Sequence, residues 1–218
     1  MYAITRPKSL FPLIRHLSYG ATLWLARLPL TPNQITTLSL ATGLGCVWSY
    51  LHSGLAWQLA GALLLVICYA LDNCDGEIAR LKNLHSNFGA HFDTFVDWIV
   101  HAAFFAALGY QVSVGKDQNL WFWLGLIAAF GATLNYILGY ILVEEETEPH
   151  ETELTTMPEA PMEKALFILR ELFRADFCFI LLFLTVFDGA WLLLPLGALG
   201  AQVYWVSAFH KAARNFHV

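Results

Sequence analysis

The sequence is short of charge: only 13% of its 218 residues are Asp, Glu, Lys or Arg, against 57% hydrophobic. A soluble domain carries about a quarter charged residues and less than half apolar ones, so that class is excluded. Positive charge is scarcer still, with 12 Lys and Arg against 17 Asp and Glu. That balance removes nucleic acid from the partners worth considering. The four cysteines, Cys46, Cys68, Cys74 and Cys178, form no CxxC pair and sit in or beside apolar runs. They read as small packing residues rather than disulfides or metal ligands. No internal repeat is found. The first 30 residues lack a separate charged region, a short apolar core and a small-residue cleavage site, so no cleavable signal is expected.

What the chain does have is apolar length. Five or more stretches approach the roughly 20 residues needed to cross a bilayer, and the expected fold is all-α. Six spans are placed at about 34–51, 56–80, 89–112, 120–143, 165–187 and 191–209, within one membrane domain covering 1–218. Ahead of them, about residues 8–28, Leu10, Leu13, Ile14, Leu17, Ala21, Trp24, Leu25 and Leu28 follow helical spacing. They predict an amphipathic helix lying in the membrane interface. Pro32 ends it, because helical geometry is disfavoured at the preceding Thr31. Residues 144–164 carry many of the acids and three prolines, and read as an aqueous loop.

Six spans put both termini on one side with the 2–3 and 4–5 connections. That side collects every Lys and Arg except Lys116. The positive-inside rule therefore assigns it to the cytoplasm.

Four acids fall at the ends of two of these spans. Asp72, Asp75 and Ala79 share one helix face, with Gly76 and Arg80 beside it, while Asp93 and Asp97 are four apart with Gly89 one turn back. Carboxylates at the ends of bilayer-length helices are costly to bury, so the default reading of such a cluster is functional. Four converging carboxylates repel one another unless cations neutralise them. Oxygen-only ligands suit Mg²⁺, Mn²⁺ or Ca²⁺ rather than zinc. Gly76 and Ala79 leave room for a ligand, and Arg80 suits phosphate oxygens. The combination points to phosphoryl-group chemistry.

The pattern Asp72-x2-Asp75-Gly76-x2-Ala79-Arg80-x8-Gly89-x3-Asp93-x3-Asp97 resembles, without a departure, the signature of the CDP-alcohol phosphotransferase family. Pro32-Asn33-x2-Thr36 is similar to the opening of the family's first span. The resemblance implies a membrane enzyme that moves a substituted phosphate from a CDP-linked donor to a hydroxyl and releases CMP. It implies that Asp72, Asp75, Asp93 and Asp97 hold two divalent cations, Mg²⁺ or Mn²⁺, and that Asp97 is also the candidate general base. It implies a CDP pocket shaped by Asn33, Thr36, Gly76, Ala79, Arg80 and Gly89, and a homodimer. Plainer rivals stand beside these roles: a structural ion for the acids, a positive-inside anchor for Arg80, a helix-entry residue for Asn33. His101, one turn beyond Asp97, reads either as a partner for that acid or as a packed, hydrogen-bonded histidine.

The motif is silent on the rest of the substrates. CDP-diacylglycerol with a polar alcohol acceptor is the leading pair, and transfer of a CDP-linked headgroup to diacylglycerol or a polyol is the alternative. A non-enzymatic divalent-cation carrier is the remote third. Arg170 and Arg174, four apart at the entrance of the fifth span, could grip the phosphate of an acceptor or form part of the basic girdle. Short loops suit a prokaryotic cytoplasmic membrane, with the site on its inner face.

Overall fold

The computed structural model describes Pro7, residues 10–142 and residues 175–215. Every regular element among them is helical: α1 Ile14–Leu25, α2 Pro32–Tyr50, α3 Leu55–Lys82, α4 Asn87–Lys116, α5 Asn119–Leu142, α6 Phe177–Val186 and α7 Leu193–Asn215. A 3₁₀ turn, Ala190–Leu192, leads into α7. By length and composition, four stretches can cross a membrane: Leu55–Lys82, Asn87–Lys116, Asn119–Ile141 and Ala190–Ser207. Six spans were expected. The shortfall lies in α2, which is long enough at 19 residues but rich in Thr and Ser, and in α6, which is only ten residues long. Arg170, Arg174 and the acidic 144–164 segment lie outside the described residues, as does the start of the N-terminal amphipathic stretch.

Local chemistry fixes the helix ends that frame the motif. Thr31 caps α2 in a reciprocal box: its hydroxyl accepts from the Gln34 main-chain N–H at 3.4 Å, while the Gln34 side-chain oxygen accepts from the Thr31 N–H at 2.9 Å. Pro32 follows at the first helical position, where its missing N–H costs nothing. Asn83 stops α3 by turning left-handed, φ 54°, a conformation asparagine tolerates better than most residues. The Ser86 hydroxyl then starts α4 by accepting from the Gly89 N–H at 3.0 Å. Only four residues separate the two motif helices, so α3 and α4 meet with their aspartates close together. Gly115 and Lys116, beyond the expected 89–112 span, complete α4, and Asp117 ends it with φ 51°.

The core is one continuous apolar cluster that links most of the helices, with Tyr50, Phe104, Leu108, Leu181 and Leu194 fully buried. Tyr50 stands edge-on to Phe104, and its hydroxyl meets that of Thr185 at 2.9 Å. A smaller cluster of Leu25, Ile35, Cys74 and Ile78 packs behind the motif. Cys74 and Ile78 are one turn apart, so α3 buries one face in hydrocarbon and keeps its aspartates on another. Lys116, the exception to the charge asymmetry, has its ammonium 4.9 Å from the Trp121 ring and 4.2 Å from Trp191. Two aromatic faces thus stabilise the cation where it stands.

The N-terminal helix is held from far along the chain. Asp176, fully buried at the entrance of α6, accepts from the Leu13 N–H at 2.7 Å and the Ile14 N–H at 2.8 Å. These are orphan donors of a helix start, and a buried carboxylate satisfies them while complementing the helix dipole. On the inner face of α1 lie Ile14, Ser18, Thr22 and Leu25, while Leu17 and Trp24 are exposed. Asp176→Ala is expected to cost about 2–4 kcal/mol, since two buried N–H groups lose a charged acceptor. Thermal unfolding in detergent checks this, with Asp176→Asn expected to fall between the two.

Candidate active site

The motif aspartates do not act as one undifferentiated cluster. Asp72, Asp75 and Asp93 each present a carboxylate oxygen, all three within 4.8 Å of one another. Asp75 is buried, and its carboxylate accepts a hydrogen bond from the Thr36 hydroxyl, which ties α2 to α3. Asp72 Oδ1 and Asp93 Oδ1 are buried with no hydrogen-bond partner among the described residues. A carboxylate oxygen removed from water without a partner is strongly disfavoured, and a hard divalent cation would satisfy both at once. The donor set thus fits Mg²⁺ or Mn²⁺. Asp97 falls outside this close set of oxygens.

A cavity of about 410 Å³ opens beside the three acids. Asn33, Thr36, Asp75, Gly76, Ala79, Arg80, Gly89 and Asp93 all line it. Two glycines explain how it stays open and ordered. A Cβ on Gly89 would sit 3.1 Å from Asn33 Oδ1 and 3.0 Å from Ser86 Oγ, so a side chain there would press on both and make them yield by a few tenths of an ångström. A Cβ on Gly76 would meet the Arg80 guanidinium nitrogens at 3.7 and 3.8 Å. Arg80 therefore folds back over Gly76, and its charge stays at the cavity wall. Lys82, two residues on, donates from its ammonium to the Leu28 and Leu30 carbonyls, both at 2.9 Å. This fixes the α1–α2 link against the end of α3.

Sequence reasoning missed part of this wall. Leu84, His85, Ser86 and Asn87, which fall between the expected spans 56–80 and 89–112, also line the cavity. The available signal was the loop's shortness: a turn between two converging helix ends has nowhere else to lie.

A second cavity, about 530 Å³, lies on the other side of the aspartate row. Asp97 lines it from α4, together with Tyr69 and His101. Its remaining wall is mostly apolar and comes from more of α4, from α5, from the start of α6 and from α7. His101 does not bond the Asp97 carboxylate. Its Nδ1 lies 2.7 Å from the Asp97 main-chain oxygen, and its Nε2 is 2.6 Å from the Tyr69 hydroxyl. The aspartates thus stand between a polar cavity and a larger, mainly apolar one.

Comparison with known proteins identifies the family. Residues 29–191 match the family model described as CDP-alcohol phosphatidyltransferase. The chain is 36% identical over 106 residues to an uncharacterized protein of Aquifex aeolicus, across 47% of this chain and 52% of that one. It is 31% identical over 104 residues to a bifunctional IPC transferase and DIPP synthase of Thermococcus kodakarensis, across 48% of this chain and 22% of the relative. A phosphatidylinositol phosphate synthase of Corynebacterium glutamicum is 33% identical over 92 residues, across 42% and 41% of the two chains. The matched stretches thus span about half or less of these relatives' own length.

Proposed function

Because the chain belongs to the CDP-alcohol phosphatidyltransferase family, we propose that it transfers a phosphatidyl group from CDP-diacylglycerol to a hydroxyl of a polar alcohol, releasing CMP. The observation that carries this reading is the pair of unpartnered aspartate oxygens on a three-acid set, opening onto a cavity with Arg80 in its wall. A ligand with a pyrophosphate suits that surface. Arg80 offers it a fixed, planar cation, and Asn33 and the α3–α4 turn offer neutral hydrogen-bonding groups. Asp72, Asp75 and Asp93, with Asp97, would hold two divalent cations. Bound there, such ions neutralise the pyrophosphate, polarise the phosphorus under attack and stabilise the leaving CMP. The Thr36 hydroxyl holds Asp75 in place from α2. Asp97, which lines the other cavity, would take the acceptor's proton as the new bond forms.

Orientation and topology belong to the same reading. Six spans are completed by α2 and α6, α1 lies in the interface, and both termini and the site face the cytoplasm of a prokaryotic membrane. The asymmetry of Lys and Arg supports that orientation. The homodimer rests on the family resemblance alone.

The lipid's place is decided by its product. With CDP-diacylglycerol labelled in its phosphatidyl group and a panel of polyols and phosphopolyols, the label should move into a new phospholipid. Turnover only with CDP-linked headgroups and diacylglycerol would transfer the lipid to the acceptor side instead. Arg170 and Arg174 are proposed to grip the acceptor's phosphate. Arg174→Ala is then expected to raise the acceptor KM about tenfold with donor binding intact. An unchanged acceptor KM would remove both arginines from the site.

A further inference from the structure

None of the 17 acidic residues precedes Asp72. Before it stand Arg6, Lys8, Arg15 and Arg27, all in the segment to which α1 belongs. The whole chain carries a net charge of −5, so attraction to an anionic surface has to be local, and this segment is where it can arise. The outward side of α1 adds an apolar edge. Leu17 and Trp24, two turns apart, share it, and Trp24 is 63% exposed. The Arg27 N–H bonds the Trp24 carbonyl oxygen at 3.2 Å. The chain thus keeps its helical course and sets the exposed Arg27 one turn on from Trp24. Neither Arg15 nor Arg27 has an acidic partner among the described residues.

The same helix is clamped along the back of the motif helix. The Cys74 thiol donates to the Ser18 main-chain oxygen at 3.6 Å, and Leu25 packs with Cys74 and Ile78. Beyond the end of α1, the Lys82 ammonium holds the Leu28 and Leu30 carbonyls. Asp176 holds its start. The stretch of α3 from Cys74 to Lys82 that α1 covers carries Asp75, Gly76, Ala79 and Arg80 on its other side, in the cavity wall. Close-packed helices transmit displacement rather than absorb it, so a lift or tilt of α1 is carried to that wall.

We infer that α1 is a docking surface for anionic phospholipid headgroups, and that its docking steadies the end of α3 that lines the Arg80 cavity. Leu17 and Trp24 seat at the boundary of headgroups and hydrocarbon, and Arg27 beside them lies at headgroup height against the anionic groups. Arg15, on another flank, adds to the local positive potential. The absence of acids removes the repulsion that an anionic leaflet would otherwise meet. Turnover therefore rises with the anionic content of the surrounding membrane. This inference rests on the interfacial placement of α1 and on the transferase reading above. It adds to them the charge class of the lipid and a route from the membrane surface to the site.

The test uses full-length protein in vesicles of phosphatidylcholine, alone or with about one-third phosphatidylglycerol, at a fixed low fraction of CDP-diacylglycerol. Gly20→Cys carries an environment-sensitive fluorophore. Nothing lies within 4 Å of the would-be Cβ at that position, and the four native cysteines are buried. In anionic vesicles the fluorophore should report a drier setting, and CMP release should rise about fivefold or more, the worth of one arginine at a charged surface. Both responses should shrink as salt shortens the screening length. Arg27→Gln should lose most of them while keeping its rate in neutral vesicles, and Arg27→Lys should retain them. Arg15→Gln with Arg27→Gln should abolish them. A response that survives in the double variant, or a signal and rate equal in the two membranes, overturns the inference. So does a signal that follows protein density instead of lipid charge, which would put a second copy of the chain on this face. Should the double variant fail to fold, the contrast between Arg27→Gln and Arg27→Lys decides alone. No CMP from the wild type with any donor would overturn the transferase reading and the link to turnover, while the fluorophore would still decide whether α1 docks.

Discussion

Asp93→Asn is expected to make the protein more stable without metal and nearly inactive with it. The oxygens of Asp72, Asp75 and Asp93 stand within 4.8 Å of one another. Two unit charges at that spacing repel by about 3 kcal/mol at an effective dielectric of about 20. An amide at position 93 removes one of those charges and can donate to a neighbouring carboxylate. The unfolding temperature in chelator should therefore rise. Two opposite changes accompany it. Mn²⁺, which should stabilise the wild type in proportion to its binding, should lose most of that effect. CMP release should fall about 10²- to 10³-fold or more, the scale of removing one preorganised electrostatic stabiliser. A structural aspartate would behave in the reverse way, with a lower unfolding temperature in chelator and activity surviving in proportion to folded protein.

A large loss of stability is expected at Gly125, where α5 touches α4. A Cβ there would meet the Phe105 carbonyl oxygen at 2.5 Å and the Gly109 Cα at 2.8 Å. Both obstacles are backbone, so no side chain can turn aside. Close approach through paired glycines is how apolar helices gain packing when hydrocarbon surrounds them. Gly125→Ala should cost about 3 kcal/mol, the upper end for overpacking, and Gly125→Leu should prevent recovery of folded protein. Activity should decline as well, because α4 carries Asp93 and Asp97 and would have to shift. Gly20→Ala is the control. Nothing lies within 4 Å of its would-be Cβ, and in the middle of α1 the added methyl should be neutral or stabilise by about 0.5–1 kcal/mol. Thermal unfolding of the three variants in one detergent measures all of this.

These predictions rest on features of unequal visibility in the sequence. The three-acid set was legible because helical spacing is rigid: Asp72 and Asp75 on one helix, Asp93 on the next, with a turn too short to separate them. The entry into α2 was visible in Thr31-Pro32 and the stop of α3 in the polar turn, though its exact residue, Asn83, was not. The limits of periodicity appear where distant segments meet. Nothing around Asp176 announces that it will cap a helix more than 160 residues earlier. Lys116 looked like a lone exception to a charge rule, and only the folded chain places it between Trp121 and Trp191. His101 was read as a partner for the Asp97 carboxylate or a packed histidine. The fold gives it the Asp97 main-chain oxygen and Tyr69, a residue that no spacing argument linked to it. The division of the aspartates between two cavities was hidden for the same reason, since α5 and α7 build the second cavity and carry no part of the motif.

The most direct test is CMP release by the purified protein from CDP-diacylglycerol, with Mg²⁺ or Mn²⁺ and a panel of alcohol acceptors, beside Asp97→Asn and a chelator control. The account predicts release that requires the cation, depends on an acceptor and falls by about 10²-fold or more in the variant. CMP release that persists in chelator and in Asp97→Asn, or none from any CDP-linked donor, would contradict it.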